Sequence, residues 1–424
     1  MNYRPLTTLC MTAMSLASCS ILSAAENPSA AAQAVNALAL DLLAKGTEAN
    51  ANTLLSPYSI QSALAMTYAG AAGVTRAEMA KALHYPEDEK ALHLSFTDLQ
   101  KALETVATST VAQAKNLEKM GGHTDPIVLT VANRLFGQQG YEFKQPFLDL
   151  VKDRYGAPLQ TMDFERNAAQ ERVKINTWVE EQTHKRITDL IPSGALTEDT
   201  RMVLVNAIYL KAPWADEFPA GATKPLPFQI KGGGAADVPT MRRTGRMGYG
   251  KRDGYQVITV PYFGGDMQLL VLLPDAKDGL AAMEAKLTSG ILAASANPEN
   301  LEVELYLPKF KMEPPVMALG TTLRTLGIAS AFDTPQGSAN FERMAPRKAD
   351  AYLYISEVFH KTFLALDEKG TEAAAATAVV MVRATSVIEE PKPVAVRVDR
   401  PFLFAIQHRA SGACIFIGRV TDPR

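Results

Sequence analysis

The chain has 424 residues, 47% hydrophobic and 21% charged, with a formal net charge of −2. This is globular composition with enough apolar side chains for a large core, which excludes a disordered or collagen-like chain. Lys and Arg are scattered without a basic, aromatic-interleaved patch, so nucleic acid is not an expected partner. Length alone suggests two or three domains of about 150 residues each.

The first element is a targeting segment. "MNYRPLTTLCMTAMSLASC" has one early cation, Arg4, and a short apolar stretch. That stretch is too short to span a bilayer. Leu16-Ala17-Ser18-Cys19 resembles a bacterial lipobox. It implies a signal peptide over 1–18, cleavage before Cys19, a lipid on the Cys19 sulfur and a tether over 19–29. The alternative is an ordinary secretory signal cut after Ser23-Ala24-Ala25. Ser20, not Asp, follows the cysteine, so nothing resembles an inner-membrane retention signal. The expected location is the outer membrane or cell surface, with the periplasm or secretion as the alternative. The mature chain then keeps Cys19 and Cys414. Cys414 lies in the apolar run "GACIFIG" and reads as a buried core residue, so no disulfide is expected.

Helices are expected next. Residues 30–45 are Ala- and Leu-rich. Ser56-Pro57 opens "SPYSIQSALAMTYAGA" as an N-cap followed by a first-turn proline. Thr75 with Glu78 has the spacing of a capping box, in a helix that should end before Pro86. Residues 90–120 read as further helix, and "IVLTVANRLFG" as strand. Residues 166–190 are helical, with Ile175, Trp178 and Val179 on one face.

Strands follow. "MVLVNAIYL" is a continuous apolar run, as in a strand buried on both faces. "YQVITVPYF" and "MQLLVLLPD" make a pair, and "LEVELYLPKF" alternates as a half-buried antiparallel strand does. "AYLYISEVFHKTFLALDEKG" reads as one long strand. "RPFLFAIQH" and "GACIFIGRV" form a hairpin across "RASGA". Helices first and strands later define an α+β fold with large mixed or antiparallel sheets. No internal repeat or linker marks a boundary within 30–424.

Catalytic and metal motifs are absent from the sequence. There is no H-E-x-x-H, G-x-x-x-x-G-K-[ST], G-x-S-x-G or S-x-x-K, and the six histidines have no metal spacing. No cofactor is expected. His360 interrupts an apolar strand, where a hydrogen-bonded core or edge histidine is the plain reading.

The remaining anomaly is "DEKGTEAAAATAVVMVRATSV", residues 367–387. After Glu372 it runs ten residues without a charge. Both faces of 371–382 are small or apolar apart from Glu372, so the segment could join a sheet without burying a charge. Its alanines are poor strand formers, so nothing local commits it to that state. The connection from Asp367 to Pro393 is far longer than the usual ~4–6 residues, which points to a functional loop.

"EKGTEAAAAT" resembles the hinge of the serpins, the serine protease inhibitors. "NTLLSPYSIQSALAMTYAGAAGVTRAEM", "LVNAIYLKAPWADEF", "VPYFGGDMQLLVLLP", "LPKFKME", "SEVFHKTFLALDEKG" and "RPFLFAIQH…IFIGRVTDP" are serpin-like in the same order. The resemblance covers roughly 30–424 and implies one domain with an exposed reactive-centre loop over about 367–393. It does not extend to residues 105–125, so no polyanion-binding helix is inferred there. The implied activity is covalent trapping of serine proteases by a monomer that turns nothing over. Glu368, Gly370, Thr371, Ala373, Ala374, Ala375, Ala376 and Thr377 would form the inserting hinge, and Trp214 would mark the point where the sheet opens. The family's spacing from Gly370 puts the scissile bond at Ala384–Thr385, which suits elastase-like or subtilisin-like proteases. Arg383–Ala384 is the alternative and suits a trypsin-like one. The competing readings are a non-inhibitory serpin, acting as a chaperone or carrier, and a surface-binding lipoprotein.

Overall fold

In the computed structural model the described residues are 29–48, 51–230, 233–348, 352–372 and 392–424. The leader with Cys19 and the loop positions Ala373, Ala374, Ala375, Ala376, Thr377, Arg383, Ala384 and Thr385 lie outside them.

The helices form the first layer. Helix α1 (Ala30–Lys45) starts at Ser29, whose hydroxyl accepts the Ala32 N–H, and buries Val35, Leu38 and Leu42. The short strand β1 (Thr53–Leu55) leads into α2 (Pro57–Gly70). Ser56 caps α2 as expected, with its hydroxyl accepting from Ser59 N–H at 3.3 Å. Nearly every residue of α2 is buried, which places it at the centre of the molecule.

Helix α3 (Gly73–Ala82) corrects the expected capping box. It starts three residues earlier, after Ala72, with no side-chain cap. Thr75 is therefore inside the helix, and its hydroxyl instead accepts from Asn340 N–H at 3.0 Å and lies 3.0 Å from Ser330 Oγ. Glu78 accepts from the same serine's backbone N–H and hydroxyl. The pair ties α3 to a distant turn rather than to its own N-terminus. Helix α4 (Glu89–Lys119) carries one apolar stripe, including Leu92, Phe96, Leu99, Leu103 and Val106.

Strand β2 (Val128–Gln138), helix α5 (Gln145–Tyr155), β3 (Leu159–Met162), α6 (Phe164–Gln182) and β4 (Met202–Pro213) come next. The predicted helix over 166–190 stops at Gln182. His184 and Lys185 adopt left-handed backbone, φ 50° and 61°, which ends the helix, and Asp189 repeats it at φ 50°. Residues 183–189 become a strap lying across β4.

The second half supplies β5 (Lys224–Ile230), β6 (Gly234–Arg252), β7 (Tyr255–Pro261), β8 (Met267–Pro274), α7 (Leu280–Glu284), α8 (Ser289–Ala294), β9 (Glu299–Pro308), β10 (Phe310–Met312), β11 (Met317–Ala318) and α9 (Gly320–Thr325). The chain closes with β12 (Phe359–His360), β13 (Leu364–Asp367), β14 (Gly370–Thr371), β15 (Val394–Arg397), β16 (Phe402–His408) and β17 (Ala413–Val420). The expected pairs β7–β8 and β16–β17 form antiparallel hairpins. Strand β9 is antiparallel to β6 but parallel to β15. The single long strand expected over 351–370 breaks into β12, β13 and β14, and Tyr352–Val358 is not strand. Among the described residues that stretch has no ladder partner.

Two sheets carry the architecture among the described residues. One runs β1-β17-β16-β8-β7-β6-β9-β15, with β5 on β6. The other, the main sheet, runs β10-β13-β14-β4-β2-β3. Leu204, Ile208, Leu210 and Ala212 of β4 face the large core with α2, while Val203, Val205 and Ala207 face Phe164, Ile175 and Val179 of α6. The run "MVLVNAIYL" is continuous because both faces of β4 are covered. Cys414 is a buried free thiol.

His360 is a buried, hydrogen-bonded histidine, as its sequence context suggested. Its Nε2 accepts from Ser56 N–H at 3.1 Å. Burial lowers its pKa to about 4. The folded pKa lies below the unfolded value, so between about pH 4 and pH 6.5 the unfolded chain binds a proton that the folded one refuses. Stability supplied by neutral His360 is therefore present above pH 6.5 and lost as pH falls towards 4. We predict that His360→Asn flattens the slope of urea-derived stability in this window by about 1 kcal/mol per pH unit. An unchanged slope would contradict the assignment.

Candidate functional site

The site is the top of the main sheet, where the chain doubles back at Asp367–Gly370. Strand β14 is two residues long and sits between two neighbours. Gly370 and Thr371 pair antiparallel with Pro213 and Ala212 of β4 on one side, and with Asp367 and Leu366 of β13 on the other. Only glycine fits here. Gly370 has φ +149°, and a Cβ would stand 2.1 Å from the Ala212 carbonyl oxygen.

Side chains pin each residue of this turn. Trp214 is buried and stacked on Tyr262, with ring centroids 4.6 Å apart and planes 3° from parallel. Its Nε1 donates to the Asp367 carbonyl at 2.9 Å, and its backbone N–H to that of Lys369 at 2.8 Å. Glu368 accepts from Lys309 Nζ at 2.7 Å and from Thr223 Oγ1 at 2.8 Å. Burial would raise the Glu368 carboxyl, but these donors outweigh it and hold the group below its ordinary value. Thr371 is buried, with its hydroxyl 2.6 Å from the Tyr262 phenol. Burial pushes that phenol far above its ordinary pKa, so the pair is neutral.

Glu372 ends the pairing. Its N–H still reaches the Ala365 carbonyl at 2.7 Å, one ladder step beyond Thr371. Its own backbone is left-handed, at φ 51°. Its carboxylate pairs with Arg186.

Below β14 the main sheet parts. Residues Met202–Gly137, Lys211–Val128 and those between them pair β4 to β2 along one edge. Along the other edge, no described strand pairs with β4 from Met202 to Lys211. A cavity of about 360 Å³ occupies the lower part of this gap, lined among others by Ile60, Leu190, Met202, Val205, Ile355 and His360. The gap lies between β4 and the chain running up to β13, with α2 beneath and the segment after α6 above.

Of the expected site residues, Trp214, Glu368, Gly370 and Thr371 are brought together at one point; the others lie outside the described residues. Sequence reasoning missed Tyr262, Lys309 and Thr223, the partners that hold the turn, and Arg186 and Tyr209 beside Glu372. All lie 59 or more residues away in the chain from the residue they contact, so no local pattern announces them. Among the described residues no group of His, Cys, Asp or Glu could hold a metal ion.

A main sheet in which the two-residue strand β14 sits above a stretch of β4 whose edge on that side no described strand pairs with, packed under helices, is an α+β architecture. The profile of the serpin (serine protease inhibitor) family matches residues 33–423, and the chain belongs to that family. It is similar to the leukocyte elastase inhibitor of Sus scrofa, 36% identical over 91% of this chain and 97% of that one. Among solved structures, cleaved Serpin 42Da aligns with TM-score 0.76 and 26% identity, covering 93% of this chain and 99% of that one. Human thyroxine-binding globulin aligns with TM-score 0.74 and 26% identity, covering 93% and 98%.

The steric demand at the turn yields a direct test. Gly370→Ala should unseat β14, because both the Cβ contact and the positive φ oppose it. A loss of roughly 1–3 kcal/mol is expected, with faster amide exchange in the peptides carrying Ala212–Trp214 and Thr371. Wild-type exchange in those peptides would show that the glycine is not required.

Proposed function

We propose that this protein is a covalent-trapping inhibitor of serine proteases that turns over no substrate of its own. The observation that carries the reading is the register of β14. If it were continued residue for residue along β4, Ala373 would stand opposite Leu210, Thr377 opposite Asn206 and Met381 opposite Met202. In that register the uncharged segment would end about where the stretch of the β4 edge left unpaired by the described residues ends, at Met202. Odd-numbered positions would share the face of Thr371, towards the large core, and even-numbered ones the face of Glu372, towards α6. Alanine on both faces enters without overpacking.

The chemistry follows from that geometry. A protease attacks a peptide bond in the segment after Glu372, and its nucleophile is acylated as that bond breaks. The hinge side is then free to continue β14 down the gap, carrying the tethered protease with it. Distortion of the protease's site weakens deacylation, and loss of one oxyanion donor alone slows such a step by about 10²–10³. Ala384–Thr385 is the proposed scissile bond, with Arg383–Ala384 second. The leukocyte elastase inhibitors among its relatives are named for a protease that such a small residue suits. A carrier role is the second reading, supported by the structural neighbour named thyroxine-binding globulin. The charge-free segment matched in length to the β4 edge favours inhibition.

A panel of elastase-like, subtilisin-like and trypsin-like proteases should yield a complex that survives boiling in detergent. The released peptide should begin at Thr385 or Ala384. Thr371→Arg should convert the protein into a substrate, because a guanidinium forced against Tyr262 would lie buried and unpaired at a cost of several kcal/mol. Absence of any stable complex, or unchanged stoichiometry in the Thr371→Arg variant, would overturn this reading.

A further inference from the structure

The strap over 183–189 bridges the gap at its upper end. The His184 ring lies on Tyr209 of β4, with centroids 4.6 Å apart. The Arg186 guanidinium lies over the Phe363 ring at 5.0 Å, on the β13 side. Lys361 Nζ donates to the Thr188 carbonyl at 2.8 Å. The strap therefore holds both banks of the gap.

These contacts fall at one level. In the register of β14, Tyr209 and Phe363 are the two residues that would flank Ala374. Ala207 and Lys361 would flank Ala376. The strap thus covers the first two even-numbered positions that the segment after Glu372 would take. Arg186 also holds Glu372 itself, whose side chain is only 11% exposed. Tyr209 is a second partner of that carboxylate, and its phenol is pushed up to about 12 by burial and then by the Glu372 charge.

We propose that Arg186 is the positioning residue of a lock on strand insertion: through Glu372 it holds the chain in its left-handed exit turn, and it covers the gap that the following residues must fill. Two things must happen together for insertion to proceed. Glu372 must exchange φ 51° for an extended backbone, and Arg186 must leave Phe363. The lock sets how fast the residues after Glu372 can follow β14 into the gap. Tyr209, Lys211 with its partner Asp125, Lys361, and Lys311 with its partner Glu313 are other charged or polar groups near this level. None of them replaces Arg186, because among the described residues only Arg186 is paired with Glu372 as a salt bridge.

The inference rests on the reading of the gap as the loop's destination, so its test uses no protease. A synthetic peptide of the sequence of residues 373–384 is incubated with intact full-length protein, and annealing is followed by native gel and thermal melt. Arg186→Gln should anneal about tenfold faster than wild type, the effect expected for loss of one charge-assisted hydrogen bond. Glu372→Gln, which removes the other partner, should give a similar gain, and the double variant no more than either single one. Arg186→Lys should recover part of the wild-type rate. Rates within twofold of wild type in both single variants, or additive gains in the double one, would overturn the lock. Annealing in no variant would overturn the reading of the gap itself, and the lock with it.

Discussion

The edge of β4 that no described strand pairs with below β14 is the constraint around which the described part of the molecule is organised. An unpaired row of backbone N–H and C=O groups inside a sheet is unfavourable, since buried polar groups need partners. Here the two banks cannot simply close, because β14 is wedged between them at the top through Gly370 and Thr371. The wedge is held from several directions, by Trp214 and Tyr262 on one side and by Lys309 and Thr223 through Glu368 on the other. Each bond is modest, at about 0.5–1.5 kcal/mol net. Together they fix the turn from which any further strand must grow.

The two faces of β4 explain why the gap can be both open and receptive. Its core face belongs to the large apolar cluster around α2, and its outer face to the smaller cluster under α6. A strand added along the edge would find apolar surface on both sides, so it would gain packing as well as backbone pairing. The price of access is paid at the strap and the exit turn, where Arg186, His184 and the left-handed Glu372 must rearrange.

Much of this was legible in the chain. Ser56-Pro57 started α2, the apolar runs located β4, β7, β8, β16 and β17, and the charge-free stretch after Glu372 marked the unusual loop. What failed did so for physical reasons. The Thr75–Glu78 spacing matched a capping box, but both side chains found better partners at Ser330 and Asn340. The helix expected to reach 190 stopped where His184 and Lys185 turned left-handed, held over β4 by a tertiary ring contact. The long strand over 351–370 broke because a strand needs a neighbour, and Tyr352–Val358 lines the cavity instead. The partners of the hinge were invisible because each comes from a distant part of the chain.

The central claim is that the β4 edge is a place held for the protein's own loop. Its most direct test is a thermal melt before and after a single cut in the loop by a protease that escapes trapping. Cleavage normally loosens a protein, by releasing chain that was tied at both ends. Here the cut should raise the melting temperature, because the freed segment supplies the missing strand and its backbone bonds. A cleaved protein that melts at or below the intact temperature would contradict the account.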